Sequence, residues 1–150
     1  MCIRDSFSAV TNNLAAGSYT LSAIASDNSG AKATNSVSIV VDTPPSVTIT
    51  NPASGTVFAA PANVTIQASA SDTDGTVTNV QFRVGTNVVA NKATAPFFGV
   101  TNNLAAGGYT LFAIASDNSG ATATNQVAIS VVTPVSVLLS ACLLYTSRCV

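Results

Sequence analysis

A long internal repeat limits what this chain can fold into more than anything else in its sequence. Residues 7–44 read FSAVTNNLAAGSYTLSAIASDNSGAKATNSVSIVVDTP, and residues 97–134 read FFGVTNNLAAGGYTLFAIASDNSGATATNQVAISVVTP. The offset is 90 residues with no gap, and about 29 of 38 positions are identical. Identity at that level over a fixed period marks a tandem array. A unit of about 90 residues is too long for a solenoid repeat and suits a whole small domain. The division expected is therefore a truncated unit at 7–44 that keeps only its C-terminal part, a complete unit at 45–134, and the start of a next unit at 135–141. In that last stretch Val135-Ser136-Val137 resembles the Ser46-Val47 that follows Pro45.

The two ends differ from the rest. All three cysteines (Cys2, Cys142, Cys149) and two of the five cationic residues (Arg4, Arg148) lie there. Met1 to Asp5 can be written ATG TGT ATA AGA GAC, and Cys142 to Ser147 can be written TGT CTC TTA TAC ACA TCT. The reverse complement of the second string contains the first in a shifted frame, and its opening codons also spell Arg148-Cys149-Val150. Residues 1–6 and 142–150 resemble the translation of a transposase-end adapter used in sequencing libraries. They are set aside from fold reasoning, as fusion scars are, and the expectation is a fragment of a longer protein read from metagenomic DNA. Between them the chain has no Cys, His or Glu, and its charges reduce to Lys32, Arg83 and Lys92 against Asp27, Asp42, Asp72, Asp74 and Asp117.

Hydrophobic residues make up 47% of the chain and charged ones 7%, the reverse of a disordered, self-repelling composition. The apolar set is mainly Ala, Val and Ile among Thr, Ser and Asn, which favours half-buried strands over helices. Val47 and Ile49 alternate with Thr48 and Thr50 before Asn51-Pro52. Val64, Ile66, Ala68 and Ala70 alternate with Thr65, Gln67 and Ser69 and run into Asp72-Thr73-Asp74-Gly75. Val80, Phe82 and Val84 oppose Gln81 and Arg83, and short strands follow near Val88-Val89 and at 97–100. Tyr109, Leu111, Ala113 and Ala115 share a face and end at Asp117-Asn118-Ser119-Gly120; Val127, Ile129 and Val131 form the last strand. About seven short strands of period two separated by turn signals predict an all-β, Greek-key β-sandwich.

SVTITNPASGTVFAAPANVTIQASASDTDGTVTNVQFRVGTNVVA, continued by AGGYTLFAIASDNSGATATNQVAISV, resembles a bacterial immunoglobulin-like domain. The resemblance rests on the VxIxxPxxGxxF opening, the SDxDGxVxxVxF and AGxYTLxAxAxDNxGA stretches, and the 90-residue period. It implies an immunoglobulin-like sandwich of a secreted or cell-surface protein that links, spaces or adheres. The disulfide and core Trp of antibody domains are absent from these residues.

In such a sandwich the loops carrying Asp72 and Asp74, and Asp117 and Asn118, share one end, and the incoming linker brings Asp42 there. Calcium takes several carboxylate and carbonyl oxygens converging from loops, so Asp42, Asp72, Asp74, Asp117 and Asn118 form a candidate Ca²⁺ site at the joint between units. The competing reading is that Asp and Asn bond backbone N–H groups of tight turns, with Gly75 and Gly120 supplying positive φ. No other cofactor is expected. Tyr109, like Tyr19, is a candidate tyrosine-corner residue. Asn63-Val64-Thr65 fits a glycosylation sequon in a strand setting.

Without His, Cys or Glu the stretch offers no Ser-His-Asp or Cys-His arrangement and no usual zinc set; the expectation is that it is not an enzyme. A formal net charge of −1 with no basic cluster argues against nucleic acid as partner, and no apolar run reaches the roughly 20 residues of a membrane span. The function expected is a structural spacer or stalk whose partners are neighbouring repeats, joined through Thr43-Pro44-Pro45 and Thr133-Pro134, where Pro stiffens the joint. The alternative is a module that binds polysaccharide or a surface, which needs an exposed platform from few aromatics.

Overall fold

The computed structural model describes residues 7–136. The adapter-like termini with their three cysteines, and residues 137–141 of the expected next unit, lie outside the described residues. Residues 7–44 supply β1 (Gly17–Ser26) and β2 (Lys32–Val41). Residues 45–134 supply β3 (Ser46–Asn51), β4 (Val57–Ala59), β5 (Ala62–Ser71), β6 (Val77–Val84), β7 (Asn87–Lys92), β8 (Phe97–Leu104), β9 (Gly107–Asp117) and β10 (Thr122–Val132).

A three-stranded sheet, β3-β5-β8, faces a five-stranded sheet, β4-β10-β9-β6-β7. The fold is all-β and sandwich-like, as the alternation predicts. Every pairing in it is antiparallel except β4 with β10, which is parallel. β4 is the strand that the sequence did not announce. Val57-Phe58-Ala59 is too short to display a period of two, and it is held from outside: the Gly55 N–H donates to the Ala128 carbonyl at 2.7 Å, and the Ala60 N–H to the Val132 carbonyl at 2.8 Å.

The alternating residues become the core. Val47, Ile49, Ala62, Val64 and Ile66 enter from one sheet; Val80, Phe82, Val84, Leu111, Ala113, Ala115, Ile129 and Val131 enter from the other. Each large aliphatic or aromatic side chain buried this way contributes on the order of 1.5–3 kcal/mol. Phe82 fills the centre, fully buried. It fits because Gly99 of β8 lies against it: a Cβ at that position would sit 3.0 Å from Phe82 Cβ and 3.1 Å from Ala90 Cβ. The Tyr109 hydroxyl donates to the Ala105 carbonyl at 3.0 Å, and the Tyr19 hydroxyl to Ala15 at 2.9 Å, so the repeat builds the same corner twice.

β1 and β2 form a hairpin in continuous register from Gly17↔Val41 to Ser26↔Lys32. Leu21, Ile24, Val37 and Val40 are exposed on it. Broad apolar depressions run along this hairpin, lined by residues such as Phe7, Ile24 and Ala33. They reflect uncovered sheet rather than a shaped site.

Candidate functional site

The β5–β6 and β9–β10 loops come together because β6 pairs with β9, with Val77 opposite Asp117. Asp117 continues the inward row Leu111, Ala113, Ala115 and is 4% exposed, the buried acid at the end of an apolar row. Its Oδ1 accepts the N–H groups of Ser119 at 2.8 Å and Ala121 at 2.9 Å. Asp27 does the same in the first unit, accepting from Ser29 and Ala31, both at 2.8 Å. The turn-capping reading is therefore realised, but it uses one oxygen. Asp117 Oδ2 is buried and has no hydrogen-bond partner.

Asp72 divides its oxygens the same way. Oδ1 receives the Asp74 N–H at a long 3.4 Å, while Oδ2 is buried without a partner. Asn118 Oδ1 accepts the Thr76 N–H at 2.6 Å and lies beside the Thr76 hydroxyl at 3.4 Å. Gly75 separates the two acceptors: a Cβ there would fall 2.6 Å from Asp72 Oδ2 and directly onto Asn118 Oδ1. This corrects the expectation that Gly75 supplies positive φ. Gly120 does, at 91°, but Gly75 is not among the positive-φ residues; its reason is space.

The linker reaches this end as expected. The Thr43 N–H donates to Asp74 Oδ2 at 3.1 Å, so exposed Asp74 anchors the incoming chain. Asp42, half-buried, carries a third carboxylate oxygen that is buried and unpartnered. Among the described residues four buried side-chain polar atoms lack a partner, and three are the Oδ2 atoms of Asp42, Asp72 and Asp117; the fourth is Arg83 Nε. Two of the three cations are engaged elsewhere, and the third stands at the far end of β2. Arg83 donates to the Thr86 carbonyl, the Lys92 ammonium sits 4.4 Å over the Phe98 ring, and Lys32 begins the strand that Asp42 follows. Among the described residues no group of three His, Cys, Asp or Glu side chains is placed to hold a metal ion. The site is one carboxylate and one carboxamide on either side of Gly75, Asp72 and Asn118, with Asp117 as a second, buried acid and Asp42 as a third on the linker.

Other candidates resolve into structure. Asn63 of the sequon accepts the Asn103 N–H through Oδ1 at 3.1 Å, holding the left-handed Asn103 (φ 57°) in place. Asn125 Oδ1 accepts the Ile49 N–H at 3.1 Å and ties β3 to the opposite sheet, a link that no spacing in the sequence signals. Phe112 is half-buried on the outer face, while Phe98 is 37% exposed. No helix of the described residues is long and apolar enough to cross a membrane.

No curated protein matches the chain. Among solved structures, fibronectin(III)-like modules of Clostridium thermocellum CbhA align with 27% identity and a TM-score of 0.55, covering 61% of this chain and all of theirs. An engineered protein aligns with 23% identity over 59% of this chain and 20% of its own, TM-score 0.45. An endo-β-1,4-mannanase double mutant from Cellulomonas fimi aligns with 24% identity over 57% of this chain and 18% of its own, TM-score 0.38. Residues 45–113 match the family model described as a bacterial Ig domain, so the stretch that builds β3 to β8 and most of β9 is similar to that family.

Proposed function

We propose that this chain is a non-catalytic spacer or stalk segment of a multidomain, secreted or cell-surface bacterial protein, built from tandem immunoglobulin-like units. The observation that carries this reading is the repeat itself together with its joint. Near-identical units follow one another through Thr43-Pro44-Pro45, and the first residue of that linker is hydrogen-bonded to the next unit through Asp74. A spacer requires stable units and stiff joints, and two prolines in a short linker restrict its backbone. The bacterial Ig family match and the fibronectin(III)-like relatives support a modular setting.

A second reading, a module that binds polysaccharide, is favoured by one observation. Phe98 is exposed beside a shallow groove lined by Thr50, Gln67, Ala95 and Phe97, and Ser8 stands in its place in the first unit. Sedimentation of the chain with cellulose, chitin and mannan separates the two. The spacer reading expects the protein to stay in the supernatant with all three. Retention that Phe98→Ala abolishes would replace it with the carbohydrate-binding one.

A further inference from the structure

We propose that Asp74-Gly75 is a site of spontaneous covalent modification, at which the aspartate closes to a succinimide and reopens as isoaspartate, and that this change releases the incoming linker. The reaction needs a backbone nitrogen that reaches the side-chain carboxyl of the residue before it, and a side chain on the following residue obstructs that approach. Asp74-Gly75 is the one Asp-Gly pair in the sequence, and no Asn-Gly pair occurs. Asp42 and Asp72 precede the β-branched Thr43 and Thr73, whose side chains crowd the backbone. Asp27 and Asp117 precede asparagines, and each is held by two turn N–H groups through Oδ1. Asp74 is exposed, and it lies with Gly75 between β5 and β6, outside both strands, where a glycine backbone turns freely. The fold also demands this dipeptide. A Cβ at position 75 would fall 2.6 Å from Asp72 Oδ2 and directly onto Asn118 Oδ1, and the Asp74 carboxylate is the acceptor for the Thr43 N–H at 3.1 Å. Space at 75 and a carboxylate at 74 together put the reactive pair at the joint.

The atoms balance with water alone. The Gly75 nitrogen attacks Asp74 Cγ, a C–N bond forms, the nitrogen gives up its proton, and one carboxyl oxygen leaves as water. Hydrolysis of the cyclic imide returns that water. Opening at Cγ restores aspartate. Opening at the α-carbonyl leaves the chain running through Cβ and Cγ, with the α-carboxylate as the new side group. Isoaspartate therefore inserts a methylene into the backbone before Gly75 and shortens the side group by the same amount. The carboxylate no longer stands where Oδ2 meets Thr43, and Gly75 is displaced from the gap between Asp72 and Asn118. The Thr43 N–H loses its acceptor, and the chain is next held where strand pairing begins, at Ser46↔Ser71. The consequence for stiffness rests on the spacer reading; the reaction itself does not.

The test ages the whole chain for several weeks in neutral buffer at physiological temperature, then combines peptide mapping with hydrogen exchange read by NMR. Mapping should find a peptide of unchanged mass and new elution that an aspartate-specific protease no longer cleaves at residue 74. Isoaspartate at Asp74 should exceed that at Asp27, Asp42, Asp72 and Asp117 together. In the aged form the Thr43 amide should lose its protection while the amides of β9 keep theirs. Asp74→Glu keeps the charge but would have to close a larger ring, which forms far more slowly, and should show neither change on ageing. Absence of isoaspartate at Asp74, or no more there than at the other four aspartates together, overturns the modification site. Isoaspartate at Asp74 with Thr43 protection intact overturns the release of the linker, as does a loss of Thr43 protection that Asp74→Glu shows equally on ageing. Polysaccharide sedimentation is independent of all these outcomes, so failure here and failure of the spacer reading are told apart.

Discussion

Phe82 is the side chain on which the sandwich depends most, because it is fully buried and is received by a position with no side chain, Gly99. Phe82→Ala should cost about 3–5 kcal/mol, read from urea unfolding at constant slope. That is a large part of the roughly 5–15 kcal/mol typical of a domain. Gly75 makes a different argument. Its replacement by Ala introduces no φ conflict but drives a Cβ onto Asn118 Oδ1 and against Asp72 Oδ2. Gly75→Ala should therefore lower stability by about 1–3 kcal/mol, whereas the same change at Gly85, which has open space but φ of 57°, acts through backbone strain alone. The acids show what is legible at this scale. Asp72 and Asp117 declare themselves by standing before Gly in turn sequences. Which oxygen each turn uses, and which is left buried, follows only from the fold.

The strands show the same division between pattern and context. β5, β6 and β9 are readable because six or more residues alternate and one face is buried in each. β4 is not, because three residues carry no period and its partners are backbone groups of β10, more than 70 positions away in sequence. The repeat supplies a controlled experiment on context. β1–β2 and β9–β10 have nearly the same sequence and equivalent registers, Leu21↔Val37 matching Leu111↔Val127. Only the second hairpin is covered by a sheet. Isolated two-stranded hairpins are marginal in water, so hydrogen exchange should give β9 and β10 amides protection near the global stability. The equivalent amides of β1 and β2 should exchange at least about a hundredfold faster. Equal protection would show that the first hairpin finds a cover of its own.

For the molecule as a whole, the repeat creates a competition that neither unit has alone. Across β9 and β10 every inward residue has its identical counterpart: Leu111, Ala113, Ala115 and Asp117 match Leu21, Ala23, Ala25 and Asp27, while Ile129 and Val131 match Ile39 and Val41. The differences, such as Phe112 for Ser22 and Ser130 for Val40, avoid the buried core positions. The β1–β2 hairpin is thus a chemically adequate substitute for β9–β10. Within one chain it cannot take that place. Ser46 pairs with Ser71 near the start of β10, whereas Val41 would have to occupy the position of Val131 near its end. That separation is about 30 Å along an extended strand, and the short linker reaches about 17 Å at most. Exchange therefore requires a second chain, and near-identical neighbours are prone to such misassembly. Refolding from denaturant at a few micromolar should give monomer, and at several hundred micromolar a dimer fraction that survives dilution, measured by size exclusion with light scattering. Leu21→Asp, which spoils the hairpin's core face and leaves the complete unit intact, should remove that fraction. A dimer that persists in Leu21→Asp would place the association on another surface.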